Sequence, residues 1–105
     1  MTIIVQPLFF IGQLIYHSRF NYRGVIIDVD PHFMLSEAWY EQVAISRPPK
    51  DEPWYHILVH ESAQQTYVAQ RNLSADSSDE PIEHPALKQY FLEFKQGRYI
   101  LSRLN

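Results

Sequence analysis

The chain has 105 residues, is 46% hydrophobic and carries a formal net charge of -3 at pH 7, totals that suit one small domain with a real core. It contains no cysteine, which excludes a disulfide framework, a thiolate nucleophile and any cysteine-based zinc or iron–sulfur site. No apolar run approaches the roughly 20 residues of a membrane span, and Met1–Gly12 lacks the charged start and cleavage site of a signal peptide, so a cytoplasmic protein with no membrane partner is expected.

In chain order, Met1–Pro7 opens with the β-branched run Ile3-Ile4-Val5, an edge strand or an ordered arm that Pro7 stops. Leu8–His17, with Phe9, Phe10, Ile11, Leu14, Ile15 and Tyr16 around Gly12, reads as the first strand. Ser18–Tyr22 is a polar turn flanked by Arg19 and Arg23, with Asn21 tolerant of left-handed backbone, so a hairpin follows.

The second strand is the best-marked element: Tyr22-Arg-Gly-Val-Ile-Ile-Asp-Val-Asp-Pro31. Gly24 is expected to supply backbone freedom there, the β-branched residues suit a pleated surface, and Pro31 ends the ladder. Alternation places Val25, Ile27 and Val29 on one face and Ile26, Asp28 and Asp30 on the other. The two aspartates read as a solvated strand edge and a turn-initiating residue in preference to a carboxylate site.

Ser36, followed by Glu37 and Glu41, caps a helical turn or two carrying Trp39, Tyr40, Val43 and Ala44. The aromatic pair is expected to cover the open end of a small barrel. Arg47–Pro53 is a proline-stiffened loop that could present a surface. Trp54–His60 is a strand with Tyr55, Ile57 and Val59 on one face and Trp54, His56, Leu58 and His60 on the other, and Thr66–Gln70 returns beside it. Residues 75–83 are rich in Ser, Asp, Glu and Pro and read as a mobile acidic linker. From His84 to Gly97, Leu87, Tyr90, Phe91 and Phe94 fall at the spacing of one apolar helical stripe, with Gly97 as a stop and a short strand or tail beyond. The expected division is a β-barrel domain over 1–74, the linker over 75–83, and a helix and tail over 84–105 packing on the barrel.

Five histidines raise the question of a metal. His56 and His60 share a strand face, but four residues of strand span roughly 13 Å, too far for one ion. His17 and His84 read as polar surface or capping residues. The serines lack a Gly-x-Ser-x-Gly elbow, and three glycines make no phosphate loop. No enzyme, cofactor or metal is expected. What remains is a binding surface: Tyr16, Tyr22, Trp54, Tyr67, Arg19 and Arg23 converge if the two hairpins pack as a barrel, and such mixtures stack on bases or hold peptides. The competing reading makes most of these rings core.

Charge placement sharpens the choice. Residues 1–25 carry Arg19 and Arg23 with no acid, and residues 84–105 carry Lys88, Lys95, Arg98 and Arg103 against Glu93. If the two ends meet, a modest basic face forms on an acidic protein.

Four blocks, Phe10–His17, Tyr22–Pro31, Pro53–Val59 and Thr66–Gln70 with Asn72-Leu73, together resemble the YccV-like, hemimethylated-DNA-binding family that includes the heat-shock protein HspQ. The resemblance spans roughly Phe9 to Ser74. It implies a mainly β fold, an SH3-like or Tudor-like five-stranded barrel, here with a C-terminal helix. It also implies binding of hemimethylated DNA in a replication-initiation context, and assistance to the Lon protease in turning over its substrates. It implies a homo-oligomer as well, a trimer among the options, which exposed aromatics on the Trp54 strand would permit. No residue-level DNA contact is carried over. The candidate binding residues are therefore Arg19, Tyr22, Arg23, Asp28, Asp30, Trp54, His56 and Tyr67. Few Lys and Arg are available to neutralise phosphates, so a protease adaptor ranks slightly ahead of a DNA-binding regulator on charge alone.

Overall fold

A computed structural model describes residues 4–102. Seven strands dominate it: β1 (Leu14–His17), β2 (Tyr22–Asp30), β3 (Trp54–Val59), β4 (Gln65–Ala69), β5 (Leu73–Ala75), β6 (Phe91–Lys95) and β7 (Arg98–Leu101). Two short helices accompany them, α1 (Glu37–Val43) and α2 (Leu87–Tyr90), with a 3-10 turn over Gln70–Asn72. β1 to β5 form one antiparallel sheet in the order β4-β3-β2-β1-β5, and β6 and β7 pair as a separate hairpin. The mainly β character and the five-stranded sheet are as expected. The outer strands β4 and β5 do not pair with each other, so the sheet is open along that seam.

β2 is the central strand and ends at Asp30, one residue before Pro31, as its sequence requires. Gly24 is needed for closeness and not for unusual dihedrals: a Cβ there would lie 2.6 Å from the Leu58 carbonyl oxygen on β3. The simple alternation expected for β2 is broken by a register shift between Ile26 and Asp28. A bulge of this kind puts one extra residue on one strand and reverses the facing beyond it. Ile26 and Val29 therefore pack inward with Ile15, Tyr55, Ile57, Val68 and Leu73. Val25, Ile27, Asp28 and Asp30 lie on the outer face, Val25 opposite Leu58 and Asp28 opposite His56.

The first strand is shorter than expected. Leu8–Gln13 lies outside it because its backbone is engaged elsewhere: the Leu8 and Phe9 N–H groups donate to the Tyr55 hydroxyl, and the Gly12 N–H donates to the Ile26 carbonyl. Ile4 and Val5 are exposed and belong to no strand, while Met1–Ile3 falls outside the described residues. α1 forms where expected, with the Ser36 hydroxyl accepting from the Trp39 N–H at 3.1 Å.

The C-terminal part departs most. Only Leu87–Tyr90 is helical, and the remainder of the expected helix is the β6–β7 hairpin. Two effects outweigh the helical stripe. Gln96 (φ 53°) and Gly97 (φ 78°) make a two-residue left-handed turn that favours tight hairpins. The hairpin also adds long-range bonds, with the Tyr99 N–H donating to Gly12 and a bridge joining Gln13 to Arg98. The stripe residues still face the core: Phe91 belongs to the cluster of Leu14, Val25, Ile27 and Leu58, and Leu87, Tyr90 and Phe94 pack against that cluster.

Residues 75–83 do not behave as the expected mobile linker either. Ala75 closes β5, Asp76 binds Arg23, Ile82 is 4% exposed, and the Glu83 N–H donates to His60 Nδ1 at 2.8 Å. The composition is polar, yet one apolar residue is placed so that the Tyr99 hydroxyl can accept from its N–H and donate to its carbonyl. That buried contact, with the Arg23–Asp76 pair, holds the segment against the sheet.

Candidate nucleic-acid interface

The β1–β2 turn is built around His17. Its imidazole is 3% exposed, and Nδ1 accepts from the N–H groups of Arg19 (3.2 Å) and Phe20 (3.3 Å). Burial, helped by the Arg19 charge, holds its pKa below the usual histidine value, so the ring stays a neutral acceptor. Asn21 takes a left-handed φ of 53°, and its side-chain carbonyl accepts from the Tyr16 hydroxyl at 2.5 Å. The turn is thereby fixed with Phe20 61% exposed at its tip and stacked obliquely on His17.

Beside this tip lies a groove of about 290 Å³. One wall is the tip itself, with Arg19, Phe20 and Tyr22; the opposite wall is α1 and the residues after it, with Trp39, Val43, Ile45 and Pro48. β4 forms the floor through Thr66, Tyr67, Val68 and Ala69, and Gln64 and Asn72 also line it. Its volume is at the small end of the roughly 300–1,000 Å³ usual for ligand sites. Although the chain holds 12 acidic residues, none lines this groove. Among the described residues Arg19 makes no ion pair, while Arg47 and Lys50 are paired with Glu41 and Glu37.

The structure divides the candidate residues into three groups. Arg19, Tyr22, Trp54 and Tyr67 do come together at the groove. Trp54 is 1% exposed and its indole N–H donates to the Pro49 carbonyl, so it supports the wall as core and offers no exposed aromatic for self-association. Tyr22 is tied to β4 through its hydroxyl contact with Thr66 at 2.8 Å. Arg23 points away from the groove: its Nε donates to Asp76 at 2.8 Å and its terminal nitrogen to the Glu80 carbonyl. Asp28, Asp30 and His56 form a polar cluster on the outer face next to Tyr67.

In that cluster the donor atoms of Asp28, Asp30 and His56 lie within 4.8 Å of one another, the one such group among the described residues close enough to hold a metal ion. Hydrogen bonds account for the arrangement: Asp30 Oδ2 accepts from the Tyr67 hydroxyl at 2.7 Å and lies 3.2 Å from His56 Nε2. Burial pushes the Tyr67 pKa well above the usual tyrosine value and the bond to Asp30 pushes it further, so Tyr67 remains the donor. The bulge in β2 is what aims Asp28 and Asp30 at His56. His60, by contrast, binds Glu83 and lies 3.4 Å from Glu61, well apart in role from His56.

The two chain ends do meet, through Gln13 and Arg98, but the basic face is smaller than the charge count allows because Arg23 is neutralised by Asp76. The Pro48-Pro49 loop also turns inward, its carbonyls accepting from Tyr40 (2.6 Å) and Trp54 (3.0 Å). Sequence reading missed Phe20, Val43, Ile45 and Asn72 as groove residues. Phe20 did carry a signal: it is a large aromatic between Arg19 and Asn21 in a polar turn, where a ring is not expected to be buried.

No helix among the described residues is long and apolar enough to cross a membrane. The family model for the hemimethylated DNA-binding protein YccV-like matches residues 7–98. The match runs well past Ser74, covering residues 75–83, α2 and β6 and ending at Arg98, the first residue of β7. The chain belongs to the YccV-like family of hemimethylated-DNA-binding proteins.

Proposed function

We propose that this chain is a non-enzymatic cytoplasmic protein that binds hemimethylated duplex DNA through the β1–β2 tip and the adjoining groove, on a sheet arranged as an SH3-like barrel. The strand order and the 3-10 turn between β4 and β5 support that fold. The observation that carries the function is the acid-free groove with the unpaired Arg19 at its rim. On a protein of net charge -3, a polyanion entering this groove meets no acidic side chain in its lining. With so few free cations the contact is weakly salt-dependent, because each neutralised phosphate contributes about -0.9 to the slope of log affinity against log salt. Fluorescence anisotropy of labelled hemimethylated and unmethylated GATC duplexes at several salt concentrations tests it. Binding that prefers the hemimethylated duplex, with a slope of about -1 to -3, is expected; no binding at low salt refutes it.

A second reading is a heat-shock-type adaptor that presents substrates to the Lon protease, and one observation favours it: the rim of the groove is apolar, with Phe20, Val43 and Ile45 all more than half exposed. An apolar protein contact would be nearly insensitive to salt. Degradation of a Lon substrate with and without the protein distinguishes the two.

A further inference from the structure

Reading a base edge in a duplex groove calls for a convex element, a helix or ribbon that enters the groove. The acid-free surface offers instead one projecting ring, Phe20, and one concavity directly beside it. That pairing suits a different operation. An apolar side chain on a rigid tip can wedge between base steps and unstack them, and an extruded base needs a pocket with stacking walls and a few polar groups for its edge.

We propose that Phe20 inserts into the base stack beside the methylated base and that this base turns out of the duplex into the groove between the β1–β2 tip and α1. The inference rests on the DNA-binding reading above and specifies how the methyl group is sensed. Trp39 and Tyr67 line the groove and supply aromatic surface for the base. Val43 and Ile45 offer apolar contact for the added methyl group, and Gln64 and Asn72 offer amides for the base edge. Arg19, adjacent to the wedge, is placed for the phosphate that shifts when the backbone opens. The rigidity comes from His17: with both the Arg19 and Phe20 N–H groups held on Nδ1, the tip does not have to be ordered on binding.

The test uses the full-length protein and a hemimethylated GATC duplex carrying 2-aminopurine next to the methylated adenine, whose emission rises when its stacking neighbour leaves. Saturating protein is expected to raise the emission severalfold, and less on the unmethylated duplex. Phe20→Ala, at an exposed position, should fold normally, bind about tenfold or more weakly and lose most of the emission rise. Val43→Trp, which fills the groove from an exposed helix position, should lower affinity for the hemimethylated duplex to that for the unmethylated one and abolish the emission rise. If the wild-type protein binds no duplex in anisotropy, the DNA reading itself fails. If it binds hemimethylated duplex without a change in emission, that reading stands and base extrusion is overturned. If Val43→Trp leaves emission and preference unchanged, the groove holds something other than a base, such as an apolar peptide, and the proposal is equally overturned.

Discussion

Two regions of this small protein carry large apolar side chains and put them to opposite use. On the outer face of β1, β2 and β3, the residues Leu14, Val25, Ile27 and Leu58 are sealed by Ile82, Phe91 and Tyr99 from the C-terminal part, and none of the seven is more than 8% exposed. Between the β1–β2 tip and α1, Phe20, Val43 and Ile45 stay open at 61%, 51% and 75%. The difference is one of closure. The C-terminal hairpin is hydrogen-bonded to Gly12, Gln13 and Ile82, whereas α1 is held at the Trp54 end of the sheet through Tyr40 and Ala44 and stands off from the tip. Covered apolar surface contributes stability, and uncovered apolar surface bordered by an unpaired arginine is available for binding.

The same residue type in each region gives the sharpest contrast. Phe91→Ala removes a buried ring from the sealed region and should cost about 3–5 kcal/mol of unfolding free energy. Phe20→Ala removes an exposed one and should cost under about 1 kcal/mol, most of it the ring contact with His17. Urea unfolding of both variants measures this. Equal losses would mean that the groove is part of the core and not a binding surface.

How much of this was legible beforehand follows the same division. The hairpins, the capped α1 and the Tyr22–Asp30 strand were readable because each has local punctuation: Asn21, Ser36, Pro31. The facing of Asp28 and Asp30 was not, since a bulge is decided by pairing with β3 and leaves no mark in β2 alone. The C-terminal hairpin was hidden for a related reason. Leu87, Tyr90, Phe91 and Phe94 satisfy a helical period, and the Gln96-Gly97 turn together with the docking of Tyr99 onto Gly12 and Ile82 tips the balance to strands. Arg19 and Arg23 looked equivalent because the partner that neutralises Arg23, Asp76, lies 53 residues away. The site residues were thus found as types, while their separation into groove, core and anchor required the fold.

That anchor predicts a pH effect confined to the sealed region. Burial opposes ionisation of Asp76, but the Ser78 hydroxyl and Arg23 outweigh it and hold its pKa below the usual aspartate value. A carboxyl depressed in the folded state contributes stability that is fully present above its unfolded pKa of about 3.9 and is lost as pH falls through the lower folded value. Asp76→Asn should cost about 1–2 kcal/mol at pH 7, with the gap between variant and wild type closing as pH falls below the ordinary aspartate range and through the lower folded value. Hydrogen exchange should show the loss first at residues 76–83, the segment the pair holds. A gap that persists unchanged into strong acid would mean that packing, and not the ion pair, secures this segment.

The smallest effect on stability is the most informative about function. Arg19→Ala should leave unfolding free energy within about 0.5 kcal/mol, since among the described residues the guanidinium makes no ion pair and the turn is held by its backbone N–H on His17. On hemimethylated DNA it should reduce the salt slope by about 1, the loss of one phosphate contact. Arg23→Ala reverses the pattern, costing stability through Asp76 while leaving the slope unchanged. Anisotropy titrations of both variants across a salt series, run beside urea unfolding, separate the two arginines. Should Arg23→Ala lower the slope and Arg19→Ala not, the DNA would lie against the sealed face, and the groove would be released from that role.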